Sequence, residues 1–299
     1  MRPPLPRDVE KILRLDLPAT RSCVVADSPH SGCEYPADFD YGCDFDELRK
    51  AEDAGIDALY SFFPSLGVPF LQAQFPRAYI DPNRRDTVSE KFLKEGEGEF
   101  HPSEGGMLRD KCTPRSSQKV YDRTLSLSEV FNRVSGYYQP YHDKLQDTLD
   151  DAQARHGKVV HLNCHSMPST THRGKVQQGF DIILGTRDGE TCAPAIAAEL
   201  KRLLEEKGYK TSLDIPGYRG AEIIRKHGDP DNGRHCIQLE VNRSLYMDED
   251  TVTPRPGMAK LREDLKDVMT SFVAFCEALA PSSRPGPVPG DSAPHPPHV

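Results

Sequence analysis

Apolar residues fall along the chain in short runs separated by longer stretches of helical period. Residues 23–26 form one run, closing into Asp27-Ser-Pro-His-Ser-Gly32, and residues 158–163 and 180–184 form two more. Each reads as a buried strand, and Cys236-Ile-Gln-Leu-Glu-Val-Asn242 alternates apolar with polar as a half-buried strand does. Phe45, Leu48, Ile56, Leu59 and Tyr60 mark an amphipathic helix over 44–63, with acids in its first turn. A long helix over 127–155 should be interrupted near Pro140, because proline lacks the ladder donor and clashes with the preceding turn. Further helices are expected over 194–207, closing at Gly208, and over 257–279. Strands alternating with helices predict an α/β layered fold.

Two segments break this pattern. Residues 95–114 are rich in glycine and charge with little periodicity, and are expected to form a long surface excursion near a site. Residues 281–299 are dominated by proline, serine and glycine and are expected to be a disordered tail, leaving one catalytic-sized unit over 1–280.

Composition narrows the class of partner. The 299 residues carry a formal net charge of −8, which argues against a nucleic-acid backbone or an anionic membrane and favours a small molecule. The first 13 residues lack an apolar signal core, and no stretch approaches the ~18 apolar residues of a spanning helix, so a cytoplasmic chain is expected. Eight cysteines without a C-x-x-C pair read as reduced, mostly buried thiols. No G-x-G-x-x-G follows a strand and no P-loop is present, which disfavours nucleotide-dependent chemistry. The oligomeric state stays open.

Two histidines stand out by position. His30 follows the first strand in Ser-Pro-His-Ser-Gly, and His165 follows the second in Asn-Cys-His-Ser-Met-Pro. Ligands bind outside the carboxyl ends of strands in open α/β sheets, so two imidazoles delivered there suggest a metal. Zinc would need a third ligand and an open position for water; Glu34, Glu52, Asp53 and Cys33 are candidates that spacing does not separate. The competing reading is a pair of strand-end histidines satisfied by backbone groups. Glu240 lies with Gln238 and Asn242 on one face of an alternating strand, which suits a solvated face or one wall of a site.

The segments SPHSGCEYP, EDAGIDALY, FPRAYIDPNRRD, LNCHSMPS, DIILGTRDG, PGYRGAEIIRKHGDP and CIQLEVNRSLYMDE together resemble, in order, the N-formylglutamate amidohydrolase family. The resemblance implies a three-layer αβα fold with a central mixed sheet, related to zinc carboxypeptidases and the phosphorylase/hydrolase-like folds, with one Zn2+ or other divalent metal per chain. It also implies hydrolysis of N-formyl-L-glutamate to formate and L-glutamate, a step of histidine degradation. By the same resemblance, His30 and His165 are metal ligands, Asp53 is the first choice for the third with Glu34 as substitute, and Glu240 is the general base. Arg77, Asn83 and Arg84 would hold a substrate carboxylate, which suits planar bidentate donors. Arg225 would anchor substrate, and Arg173 would anchor substrate or stabilise the oxyanion. The segment around Asp53 departs from the family's commoner Thr-Asp-Trp form, and Asp214 stands where asparagine is usual. Rival readings are a hydrolase of another N-acyl amino acid or small amide, and a non-enzymatic metal- or ligand-binding protein on the same fold.

Overall fold

The computed structural model describes residues 9–170 and 179–280; Arg173 and the 281–299 tail lie outside the described residues. Strands β1 (Leu13–Asp16), β2 (Val24–Ser28), β3 (Phe70–Ala73), β4 (Val159–Met167), β5 (Ile182–Gly185), β6 (Thr211–Leu213) and β7 (Arg234–Asn242) form one seven-stranded sheet, in the order β1-β3-β2-β4-β7-β5-β6. β3, β2, β4 and β7 run parallel, while β1 and the β5–β6 pair run the opposite way, so the sheet is mixed as expected. Helix α1 (Gln139–His156) covers one face; α2 (Pro194–Glu206) and α3 (Gly257–Ala278) cover the other.

Side-chain alternation makes the two faces different. Val24, Ala26, Val160, Leu162, Ile237 and Leu239 point to the α2–α3 face and pack against Leu200, Leu265 and Phe272. On the α1 side, Val25 and Val159 meet Leu145, Leu149 and Ala152 near the strand starts. Beyond them the same face turns polar while staying buried, through Asp27, His161, Asn163, His165, Gln238 and Glu240. The register places Asp27 beside Asn163, Asn163 beside Gln238, and His165 beside Glu240, so these residues form a row across three strands.

Asp27 anchors the row. Its Oδ2 accepts from the Tyr141 hydroxyl of α1 at 2.6 Å, and its Oδ1 accepts from His161 Nε2 at 2.9 Å and Asn163 Nδ2 at 2.8 Å. Burial would raise this carboxyl, but the His161 interaction and the remaining hydrogen bonds outweigh it and hold it below its ordinary value.

Two expected helices differ from what forms. The span 44–63 holds two short helices, Phe45–Arg49 and Ile56–Leu59, rather than one. The break lets the Asp53 N–H donate to His30 O at 2.9 Å, and Gly55 takes the left-handed conformation, φ 78°, that redirects the chain. Near Pro140 the expected interruption takes the form of a π turn rather than a break in the chain's helical path. Leu127–Arg133 runs through a π turn, Val134–Tyr138, into α1, and this wider turn seats the proline at the start of the new helix, where its missing donor costs little.

The 95–114 excursion is pinned to the body. Met107 and Leu108 are fully buried, and Met107 O accepts the Asp81 N–H at 2.8 Å. All eight cysteines are free thiols; six are buried, Cys43 is half-buried and Cys33 is exposed. Among the described residues no helix is long and apolar enough to cross a membrane.

The loop after β2 passes so close to β3 that a Cβ on Gly32 would lie 2.4 Å from the Gln74 carbonyl carbon and the Phe75 carbonyl oxygen. Gly32→Ala must therefore force backbone apart, and should lower stability by about 1–3 kcal/mol in urea unfolding. Asp27 generates a pH-dependent expectation. A carboxyl held below its unfolded value stabilises the fold above that value and loses this contribution as pH falls through the folded one. The stability gap between wild type and Asp27→Asn should therefore narrow as pH drops below about 4, measured by denaturant midpoints at each pH.

Candidate functional site

A cavity of about 940 Å³ opens at the carboxyl ends of β2, β4 and β7. His30, Asp53, His165, Arg77, Asn83 and Glu240 line it, and all six are buried. One ligand atom from each of His30, Asp53 and His165 lies within 4.8 Å of the others. Asp53 Oδ2 is 3.0 Å from His165 Nδ1 and 3.4 Å from His30 Nδ1, and the two rings stand edge to face with centroids 4.6 Å apart.

Polar neighbours hold both imidazoles. Asn163 commits its Nδ2 to Asp27 and places its Oδ1 2.8 Å from His165 Nε2, which also lies 3.0 Å from the Asn83 Nδ2 donor. Asp81 Oδ1 accepts from His30 Nε2–H at 2.6 Å, and Asp81 is itself held by Arg77 Nη2 at 2.7 Å and the Asn83 N–H at 2.9 Å. His30 Nε2 thus carries a proton, the Nδ1 atoms of both rings face the Asp53 carboxylate, and His30 Nδ1 has no hydrogen-bond partner. The His30 Nδ1 lone pair and the buried Asp53 carboxylate repel one another unless a cation or a proton lies between them. Two imidazoles and a carboxylate, each imidazole buttressed through its far nitrogen, are a donor set that could hold a metal ion.

Asp53 sits in an electrostatic vice. Its Oδ1 accepts from Arg243 Nη2 at 2.9 Å and lies 3.6 Å from Arg77 Nη1. Burial would raise its pKa, but the facing His165 and His30 imidazoles and the Arg77 charge outweigh it and hold it well below the usual carboxylate range. Arg243 also binds Glu52 O, Lys50 O and Ser166 Oγ, so this guanidinium ties the 50–53 segment to β4. Glu240 faces the opposite condition. Burial raises its carboxyl, the Asp53 charge adds to this, and His165 and a 2.7 Å hydrogen bond from Gln238 Nε2 offset it only in part.

The other sequence candidates separate. Glu34 and Cys33 are exposed, and the Glu52 carboxylate turns away to Tyr35 at 2.6 Å, which leaves Asp53 as the carboxylate of the cluster. Arg84 lines the cavity, with one terminal nitrogen on Asn83 O at 2.9 Å. The Asn83 amide is engaged, with Oδ1 accepting from the Ile223 N–H at 2.8 Å and Nδ2 donating to Gln238 Oε1 at 3.2 Å while lying 3.0 Å from His165 Nε2. Arg225 does not reach the cavity; its half-exposed guanidinium pairs with Glu222 at 2.6 Å. Asp214 bonds Thr186 through its N–H and hydroxyl, where it holds a turn.

Sequence reasoning missed Asp81, Asn163, Arg243 and Arg109. Asn163 was within reach of the pattern, since it lies two residues before His165 and therefore shares its face. His142 and His227 form a buried pair that burial keeps neutral, with pKa values pushed down to about 3 and 2. His142 Nε2 donates to Pro82 O at 2.9 Å and so fixes the Asp81–Asn83 turn from behind.

Known proteins were compared with this geometry in hand. An N-formylglutamate deformylase of Pseudomonas aeruginosa is 29% identical over 257 residues, covering 83% of this chain and 91% of that protein. The N-formylglutamate deformylase of Pseudomonas putida is 28% identical over 240 residues, covering 77% of this chain and 85% of its own. The crystal structure of N-formylglutamate amidohydrolase from Ralstonia eutropha JMP134 superposes with a TM-score of 0.80 at 36% identity, covering 89% of this chain and 98% of that one. The sequence profile of N-formylglutamate amidohydrolase matches residues 22–247, and the chain belongs to that family.

Proposed function

We propose that the protein is a zinc-dependent amidohydrolase that cleaves N-formyl-L-glutamate to formate and L-glutamate. The observation that carries this reading is the convergence of His30 Nδ1, His165 Nδ1 and Asp53 Oδ2 beside a buried Glu240 on one cavity wall. The substrate is supported by the names of the relatives, which are N-formylglutamate deformylases and an amidohydrolase.

His30, Asp53 and His165 would hold the metal, which when bound supplies a water acidified toward pKa ~7 and polarises the formyl oxygen. The proton transfers fall to Glu240, whose carboxyl is raised by burial above its ordinary value, the direction that suits a group that both takes and returns a proton. It accepts the proton of the attacking water, and delivers it to the amide nitrogen as the C–N bond breaks, so that L-glutamate leaves as the amine. Gln238, itself held by Asn83, aims the Glu240 carboxylate. Arg77 is committed to Asp81 and Asp53 and contributes fixed positive charge. Arg84 keeps donors for a substrate carboxylate.

Two measurements test this. Purified protein should release formate from N-formyl-L-glutamate, lose the activity on chelation and recover it with zinc. A zinc-loaded protein inactive on that substrate yet active on N-acetyl or longer N-acyl amino acids would replace the substrate and keep the chemistry. Glu240→Gln should lower kcat by roughly 100- to 10,000-fold with zinc content unchanged; turnover equal to wild type would remove Glu240 from the reaction.

A further inference from the structure

Arg109, on the 95–114 excursion, is the cavity's unexplained cation. Its side chain is only 12% exposed, and its Nε is buried without a hydrogen-bond partner. Its one charge contact among the described residues is Asp81 Oδ2, at 3.9 Å from Nη2, beyond hydrogen-bond reach. That carboxylate is already taken by His30, Arg77 and the Asn83 N–H. Burial, together with the neighbouring Arg77 and Arg84 charges, pushes the guanidinium down to about 9. A buried cation among cations is costly until an anion joins it.

The placement is built rather than incidental. Met107 and Leu108 are buried on one side of Arg109, and Asp110 O accepts the Val120 N–H at 2.9 Å on the other, so the backbone is held at both shoulders. Asp81 separates Arg109 from the metal-type cluster, with His30 on Oδ1 and Arg109 facing Oδ2. The remaining cavity arginines of this inner wall have other commitments: Arg77 to Asp81 and Asp53, and Arg243 to Asp53, Ser166 and the 50–52 backbone.

We infer that Arg109 is the subsite for the side-chain carboxylate of an acidic N-acyl amino acid, while Arg84 receives the α-carboxylate. This rests on the amidohydrolase reading above and adds the residue that selects an acidic side chain. Recognition by a guanidinium fork requires both oxygens of a carboxylate, so a carboxamide of the same shape loses the charge and one acceptor.

The test compares N-formyl-L-glutamate with N-formyl-L-glutamine. In Arg109→Gln the ratio of kcat/KM for the acid over the amide should fall roughly 100-fold, and Arg109→Lys should restore part of it. A ratio within threefold of wild type, whatever the absolute loss, overturns the assignment. A second readout needs neither turnover nor a folded variant: glutarate should raise the thermal midpoint of the zinc-loaded wild type well above the effect of butyrate, which carries one carboxylate. Equal effects of the two overturn the subsite. If wild type hydrolyses neither formyl substrate while glutarate still stabilises it above butyrate, and that difference is lost in Arg109→Gln, the reaction reading falls and the subsite stands.

Discussion

The Asp53 carboxylate is the constraint on which the rest of the site depends. It is 1% exposed and ionised, a condition that a protein interior tolerates only when both oxygens are matched. Oδ2 faces the two imidazoles and Oδ1 faces Arg243 and Arg77. Those partners come from the loop after β2, the end of β4, the turn after β7 and the 75–84 segment, so one carboxylate draws four separate stretches of chain together. It also accounts for the broken helix, since an uninterrupted 44–63 helix would not let the Asp53 N–H reach His30 O.

What the sequence disclosed follows the range of each interaction. The strands at Val24 and Val159 were legible because burial on both sides of a sheet leaves an apolar run, and the strand at Cys236 because its apolar and polar residues alternate. His30 and His165 were legible because each interrupts such a run at its carboxyl end. The third carboxylate was not, since Glu34, Glu52 and Asp53 differ only in where a tertiary turn aims them, and the resemblance alone ranked Asp53 first. Arg225 illustrates the opposite error: it lies in a family block, yet its helix presents it to solvent beside Glu222. Arg109 carried no signal, because an isolated arginine in an aperiodic segment becomes informative only once Met107 is seen docked on Asp81.

Fold and site share the same row of residues. On the α2–α3 face, alternate positions of β2, β4 and β7 make an apolar core; on the α1 face, the intervening positions run Asp27, Asn163, Gln238 and onward to His165 and Glu240. A shift of one residue in the β4–β7 register would send the polar set into the apolar layer, so the core enforces the alignment that chemistry needs. The Asp27–Asn163–His165 chain carries this further, because it links a helix hydroxyl, Tyr141, to the outer ring nitrogen of an imidazole in the cavity.

The cavity's parts differ in how rigidly they are carried. His165, Gln238 and Glu240 project from strands, and His30 and Asp53 lie on short turns clamped by Gly32 and Arg243. Arg84 and Arg109 lie on connecting segments outside the central sheet, the first in the 81–84 turn braced by His142, the second on the 95–114 excursion. If the proposed roles hold, chemistry that needs atoms fixed to a fraction of an ångström rests on the sheet, while selection of the substrate's charged ends rests on segments that can change length and sequence without disturbing the strand register. In the proposed reading, the groups that move protons and the groups that read the substrate's charge are thereby carried on separate parts of the chain.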